Sequence, residues 1–135
     1  MRKVVFGAVM VVCAVLAMES RSARAQDAGS VKFYTEKVVP IVQENCYRCH
    51  GGVNHRGGLT LDTKAGLLKG GHSGVVVVPG HPEQSLLVKL IRHEGPADDP
   101  KDMPPNKPKL SDADIATVEQ WIKAGAIMPE DTPKP

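Results

Sequence analysis

The chain has 135 residues, with 17 Lys plus Arg against 15 Asp plus Glu and a formal charge of +2, too small an imbalance to imply a cationic face for nucleic acid. That length suits one domain and leaves no room for a second core. The 13 glycines and 11 prolines promise many turns between short elements.

Residues 1–25 have the build of a secretory signal. Arg2 and Lys3 precede an apolar run from Val4 to Ala17, and Ala23-Arg24-Ala25 offers a small-x-small cleavage site. The run of about 14 residues is short of the roughly 20 a membrane span needs, so cleavage is expected and nothing later is apolar enough to span. Cys13 follows Met10-Val11-Val12, not the small residues that precede a lipid-modified cysteine, and leaves with the signal. Cleavage takes four of the 17 basic and one of the 15 acidic side chains, leaving residues 26–135 with a balance of −1. The basic character belongs to the signal, and the mature charge points to no class of partner. Location in the periplasm or cell envelope is expected.

After linker-like residues 26–29, Ser30 is placed to cap a helix whose apolar positions Phe33, Tyr34, Val38, Ile41 and Val42 recur every three to four residues. Pro40 falls inside it and should kink it or divide it into two short pieces. This helix delivers Cys46-Tyr47-Arg48-Cys49-His50, the pattern of a c-type haem attachment site. Two thiols one helical turn apart add to the two vinyl groups on one porphyrin edge, and the adjacent imidazole of His50 then lies under the iron to supply an axial bond. A zinc site would need about four ligands, and the mature chain has no further cysteine. A Cys46–Cys49 disulfide suits an oxidising compartment, whereas a thioredoxin-like pair expects a βαβ pattern that is missing.

From Gly51 the chain turns glycine-rich, with Gly51-Gly52, Gly57-Gly58, Gly70-Gly71 and Gly74 allowing sharp turns or close approach to a flat ring. No Gly-Lys-Ser/Thr ending or G-x-G-x-x-G frame supports phosphate binding. Asp62 is placed to cap a short helix through Leu67 and Leu68 that ends at Gly70. Val75 to Val78 is a short extended apolar run bound for the core. Pro82 opens a helix carrying Leu86, Leu87, Leu90 and Ile91 on one face until Gly95-Pro96 stops it. Residues 97–108 form a charged, proline-rich loop holding Met103-Pro104-Pro105, where the residue before proline is pushed toward extended geometry that suits a side chain reaching across open space to a metal. The last helix is capped by Ser111 with Asp114 three residues on, carries Ile115, Val118, Trp121 and Ile122 on one face, and stops at Gly125. Trp121 anchors the core against the first helix, and the polar tail from Pro129 to Pro135 frays.

With these blocks in order, the chain resembles the planctomycete-type cytochrome c domain. The resemblance runs from Val39-Pro40-Ile41-Val42 and the haem motif through Gly57-Gly58-Leu59-Thr60-Leu61-Asp62, Lys69-Gly70-Gly71 with Ser73-Gly74, Val78-Pro79-Gly80 and Pro82-Glu83-Gln84-Ser85-Leu86-Leu87. It continues through Met103-Pro104-Pro105 and Leu110-Ser111-Asp112 to Trp121-Ile122. It implies an all-α cytochrome c-like bundle of three to five short helices around one covalent haem c, with the Gly-rich middle as loop. It also implies Cys46 and Cys49 as thioether anchors, His50 as proximal ligand and Met103 as distal ligand. His81 stands where the family more often has an acidic cap. His55, His72, His81 and His93 are alternative imidazoles for the sixth position, each read on its own as an exposed loop residue. Met128, the other methionine left after cleavage, is read as a hydrophobic stop beyond the last helix.

The expected function is that of a one-electron carrier, not an enzyme, serving redox partner proteins. A haem peroxidase or gas sensor would need an open distal position, and no distal acid-base pair stands out to serve one. A haem-binding module of a larger assembly is the remaining class.

Overall fold

The computed structural model describes residues 27–98 and 100–131. The signal segment, Cys13 and residues 132–135 lie outside them. The described residues are mostly short helices joined by turns, with one two-residue strand, as the all-α expectation requires.

Ser30 caps α1 (Val31–Phe33) by accepting from the Phe33 N–H at 3.0 Å, while its own hydroxyl donates to the Asp27 carbonyl. A π-helical turn, Tyr34–Val38, then carries the chain into α2 (Val39–Asn45), where Pro40 sits in the first turn. Proline has no N–H and its ring crowds the carbonyl four residues back, so an i→i−4 ladder cannot run through it. The Val39 N–H instead reaches five residues back to Tyr34, and the widened turn takes up the misfit. The expected division therefore falls one step before the proline. Phe33, Tyr34, Val38 and Val42 are buried by this lead-in, and α3 (Tyr47–His50) follows directly.

Single bridges pair His50 with His55 and Gly51 with Asn54, so β1 (Asn54–His55) folds back on the end of α3. A 3₁₀ turn (Arg56–Gly58) follows, then α4 (Lys64–Lys69). Its cap is Thr63, whose hydroxyl accepts from the Gly66 N–H at 3.1 Å, and not Asp62 as expected. The Asp62 carboxylate accepts from the Gly52 N–H at 2.7 Å, a long-range use that local spacing does not signal. Gly70 ends α4 with φ of 76°, and a Cβ there would lie 2.2 Å from the Gly74 carbonyl oxygen, so only glycine closes this turn.

Val76 and Val77 are buried, as the apolar run implied, but Val75 is 55% exposed. Pro82 opens only a 3₁₀ turn (Pro82–Gln84), and α5 (Leu86–Ile91) starts afresh after Ser85 and ends four residues short of the expected stop at Gly95. The reason is Ser85 itself. It is fully buried in an extended conformation, its hydroxyl accepting from the Val78 N–H and donating to the His81 carbonyl, both at 2.9 Å. That pairing fastens the valine run to the turn and breaks the helix.

The final helix, α6 (Asp112–Lys123), forms as expected, with the Ser111 hydroxyl accepting from the Asp114 N–H at 3.1 Å and Gly125 at φ 109° beyond its end. Trp121, 2% exposed, lies against Tyr34 with ring centroids 5.4 Å apart and donates Nε1–H to the Ile127 carbonyl at 2.8 Å. The tail does not fray at once. The Asp131 carboxylate accepts from the Lys64 and Ala65 N–H groups at 2.7 and 2.8 Å, and Glu130 pairs with Lys64. No helix among the described residues is long and apolar enough to cross a membrane.

Candidate functional site

The packed helices leave a cavity of about 400 Å³ on the side of the glycine-rich middle, within the usual size of a site for a small organic group. α3 contributes Cys46, Cys49 and His50 to its lining, the proline loop contributes Met103, and α5 contributes apolar wall such as Leu87 and Ile91. All four site residues picked out from the sequence thus line one space, although the chain passes through the whole middle segment between His50 and Met103. Local rules explain each placement. The Cys46 N–H continues the α2 ladder to Val42 at 2.8 Å, and the His50 N–H reaches the Cys46 carbonyl at 2.9 Å, so both thiols and the imidazole share one helical turn. The Met103 N–H donates to the Leu90 carbonyl at 3.1 Å, fastening the proline loop to the end of α5 beside the cavity.

Among the other imidazoles, only His72 lines the cavity. Its backbone N–H donates to the Gly57 carbonyl at 2.7 Å, and a Cβ on Gly58 would come within 2.7 Å of its ring, so two glycines make its place. His55 is exposed, with Nε2 at 3.0 Å from the Gly52 carbonyl oxygen, and His81 pairs with Glu83 at 3.0 Å. His93 is exposed at φ 59°. Met128, only 5% exposed, is packed into the core and forms no part of the cavity.

Cys46 and Cys49 are separate thiols, both partly buried. Burial pushes the Cys46 thiol up to about 11, with the neighbouring Cys49 adding to it, so Cys46 is held in its protonated form. Tyr47, between them, shares a 3.3 Å hydroxyl contact with Tyr34, and burial raises both phenols. The His50 Nδ1 is buried and has no hydrogen-bond partner among the described residues. A buried polar atom of that kind costs about 1–3 kcal/mol, and such atoms are retained where a site serves a further group.

These features fit a haem. Two free thiols at helical spacing, a half-buried imidazole and a thioether line an apolar cavity, the donor set of a covalent haem with histidine and methionine axial bonds. They do not fit a bare metal ion. Among the described residues no group of three or more His, Cys, Asp or Glu side chains converges, where a structural zinc takes four donors. Two charged lining residues escaped the sequence reading, Arg56 and Lys101. Nothing in their spacing marks them, since one opens the glycine-bearing Arg56–Gly58 turn and the other lies in a loop already rich in charge.

Residues 46–107 match the family model described as Planctomycete cytochrome C. The matched stretch begins at the first motif cysteine and extends just past Met103, so it contains all four site residues. No match to the chain was found among curated proteins or among solved structures. The sequence blocks and the helical architecture agree with this match, and residues 46–107 are similar to a planctomycete-type cytochrome c domain.

Proposed function

We propose that this chain is a c-type monohaem cytochrome, exported to the periplasm or cell envelope, that carries single electrons between redox partner proteins and is not an enzyme. The observation that carries the reading is the meeting of Cys46, Cys49, His50 and Met103 on one apolar cavity within a cytochrome c family domain. Haem iron, when bound, supplies the one-electron ferrous–ferric cycle. The residues supply the rest. Cys46 and Cys49 would anchor the group through thioethers, so that it cannot be lost by dilution. His50 would give one axial bond, and Met103, a soft donor that favours ferrous iron, the other. Buried Leu87 and Ile91 would give the group an apolar wall, which would limit the solvent rearrangement that a change of charge demands. With His50 and Met103 both holding the iron, no open position would remain for peroxide or a gas.

The test is an absorption spectrum of protein made together with haem-attachment machinery, after denaturation in alkaline pyridine and again in the native state. A covalent haem and a low-spin six-coordinate spectrum are expected, with the low-spin bands lost in His50→Ala. Absence of covalent haem removes the reading, and a high-spin five-coordinate spectrum in the parent turns it toward an open-site haem protein.

A further inference from the structure

The cavity lining is largely apolar, yet Arg56 and Lys101 bring full positive charge to it, and among the described residues no aspartate or glutamate lines it. Elsewhere Lys64, Arg92 and Lys109 each hold a carboxylate partner. Arg56 and Lys101 have none among the described residues. Both stand on fixed backbone. Arg56 follows the His50–His55 bridge directly, and its carbonyl accepts from the Leu59 N–H at 3.3 Å. Gly57, at φ 65°, takes the His72 N–H on its carbonyl at 2.7 Å. Lys101 lies between Pro100 and a segment held by the Met103 N–H to Leu90 and by the Gly95 N–H to Asp102 Oδ1 at 3.2 Å.

Two cations on rigid segments of an apolar wall suit a flat apolar body that ends in anionic groups, and haem carries two propionate carboxylates on the edge away from its vinyl groups. A guanidinium presents a planar fork that matches a carboxylate, and an ammonium acts as a compact charge. Both residues are exposed at the edge of the cavity, so solvent screens their charge in part, yet a positive charge beside the group still favours the ferrous state, which carries one positive charge fewer than the ferric. Resting on the haem reading above, we propose that Arg56 and Lys101 bind the two carboxylates of the cofactor and raise the reduction potential of the site. They are positioning residues and form no bond to iron.

The experiment is a spectroscopic redox titration of the haem-loaded parent, Arg56→Gln, Lys101→Gln, Arg56→Lys and Lys69→Gln, with covalent loading measured in each sample. Lys69 is exposed and lies off the cavity. Each of the first two variants should lower the ferrous-to-ferric ratio at fixed potential about three- to tenfold, which is about 30 to 60 mV at 59 mV per tenfold. Arg56→Lys should recover at least half of the Arg56→Gln shift, and Lys69→Gln should stay within about twofold of the parent. A loaded Arg56→Gln or Lys101→Gln that titrates with the parent overturns the assignment, as does an equal shift in Lys69→Gln, which would mark a bulk charge effect. A parent without covalent haem brings down the haem reading first, and the two failures are told apart by the loading measurement.

Discussion

The terminal helical frame and the middle segment are stabilised by different means. The frame, from α1 to the end of α2 and again from α6 to Met128, supplies the most deeply buried large side chains of the core, Val38, Trp121 and Ile122, to which the middle adds Val77 and Val88. The middle, from Cys46 to Leu110, is built of helices of four to six residues and of glycines at positive φ, and many of its apolar side chains face the cavity. It is tied down from outside, by the Gly80 N–H to Ile122 at 2.7 Å, by Arg92 to Glu119 at 2.7 Å and by the Asp131 cap on α4. The family match covers this middle and not the frame. What defines the domain is thus the part least able to stabilise itself, and under the haem reading the cofactor completes its core.

The sharpest way to break that comparison is to remove both anchors. Cys46→Ala with Cys49→Ala should leave the chain poorly ordered, most severely between residues 46 and 110. Ordering costs about 1–2 kcal/mol per residue, and a glycine-rich stretch around an unfilled cavity has little burial to offset it. Amide exchange should show protection there falling a thousandfold or more, about 4 kcal/mol, relative to the haem-loaded parent. A cooperative, fully protected chain in the double variant would contradict the idea. Trp121→Ala attacks the other region. Loss of a buried indole, its contact with Tyr34 and its bond to the Ile127 carbonyl should cost about 3–5 kcal/mol in denaturant unfolding of the loaded protein. A cost below about 1 kcal/mol would mean that the frame does not supply the anchor of the core.

The same division governs what could be read in advance. In the frame, signals are local. Ser30 and Ser111 cap the helices that follow them, and the stripe through Ile115, Val118, Trp121 and Ile122 is the buried face. The haem motif was legible for the same reason, since Cys46, Cys49 and His50 share one turn of one helix. In the middle, partners come from afar. Asp62 had a capping residue's position but serves Gly52, while Asp131, far along the chain, helps cap α4. Ser85 breaks a helix whose apolar spacing looked continuous, because its hydroxyl serves the valine run. Arg56 and Lys101 share a cavity lining that spacing along the chain does not encode.

A finer probe compares the two methionines, one in each region. Met103 lines the cavity and Met128 is buried in the frame. Axial ligands shift haem potentials over a range of roughly 0.8 V, so Met103→His should lower the midpoint by on the order of a tenth of a volt. Met128→Leu, a swap that nearly conserves volume, should cost less than about 1.5 kcal/mol in stability and leave the potential almost unchanged. Redox titration of both variants beside the parent decides it. A shift in Met128→Leu with none in Met103→His would reverse the assignment of the sixth ligand.

The smallest effect lies on the seam between the two regions. Asp131 comes from the chain that follows α6, yet its two carboxylate oxygens accept from consecutive N–H groups at the start of α4, and Glu130 beside it pairs with Lys64. These are exposed contacts, so the ion pair should add little and the cap most of the effect. Removing a capping side chain costs about 0.5–2 kcal/mol, which sets the expectation for Asp131→Ala at about 1 kcal/mol in unfolding of the loaded protein. Asp131→Asn keeps one acceptor oxygen and should retain roughly half of that, while Glu130→Gln should change stability by less than about 0.5 kcal/mol. The midpoint potential should not move in any of them, because Asp131 lies outside the cavity lining. If Asp131→Ala unfolds with the parent, the end of the chain does not brace the middle segment. A drop of several kcal/mol would mean instead that the frame and the middle unfold as one unit through this strap.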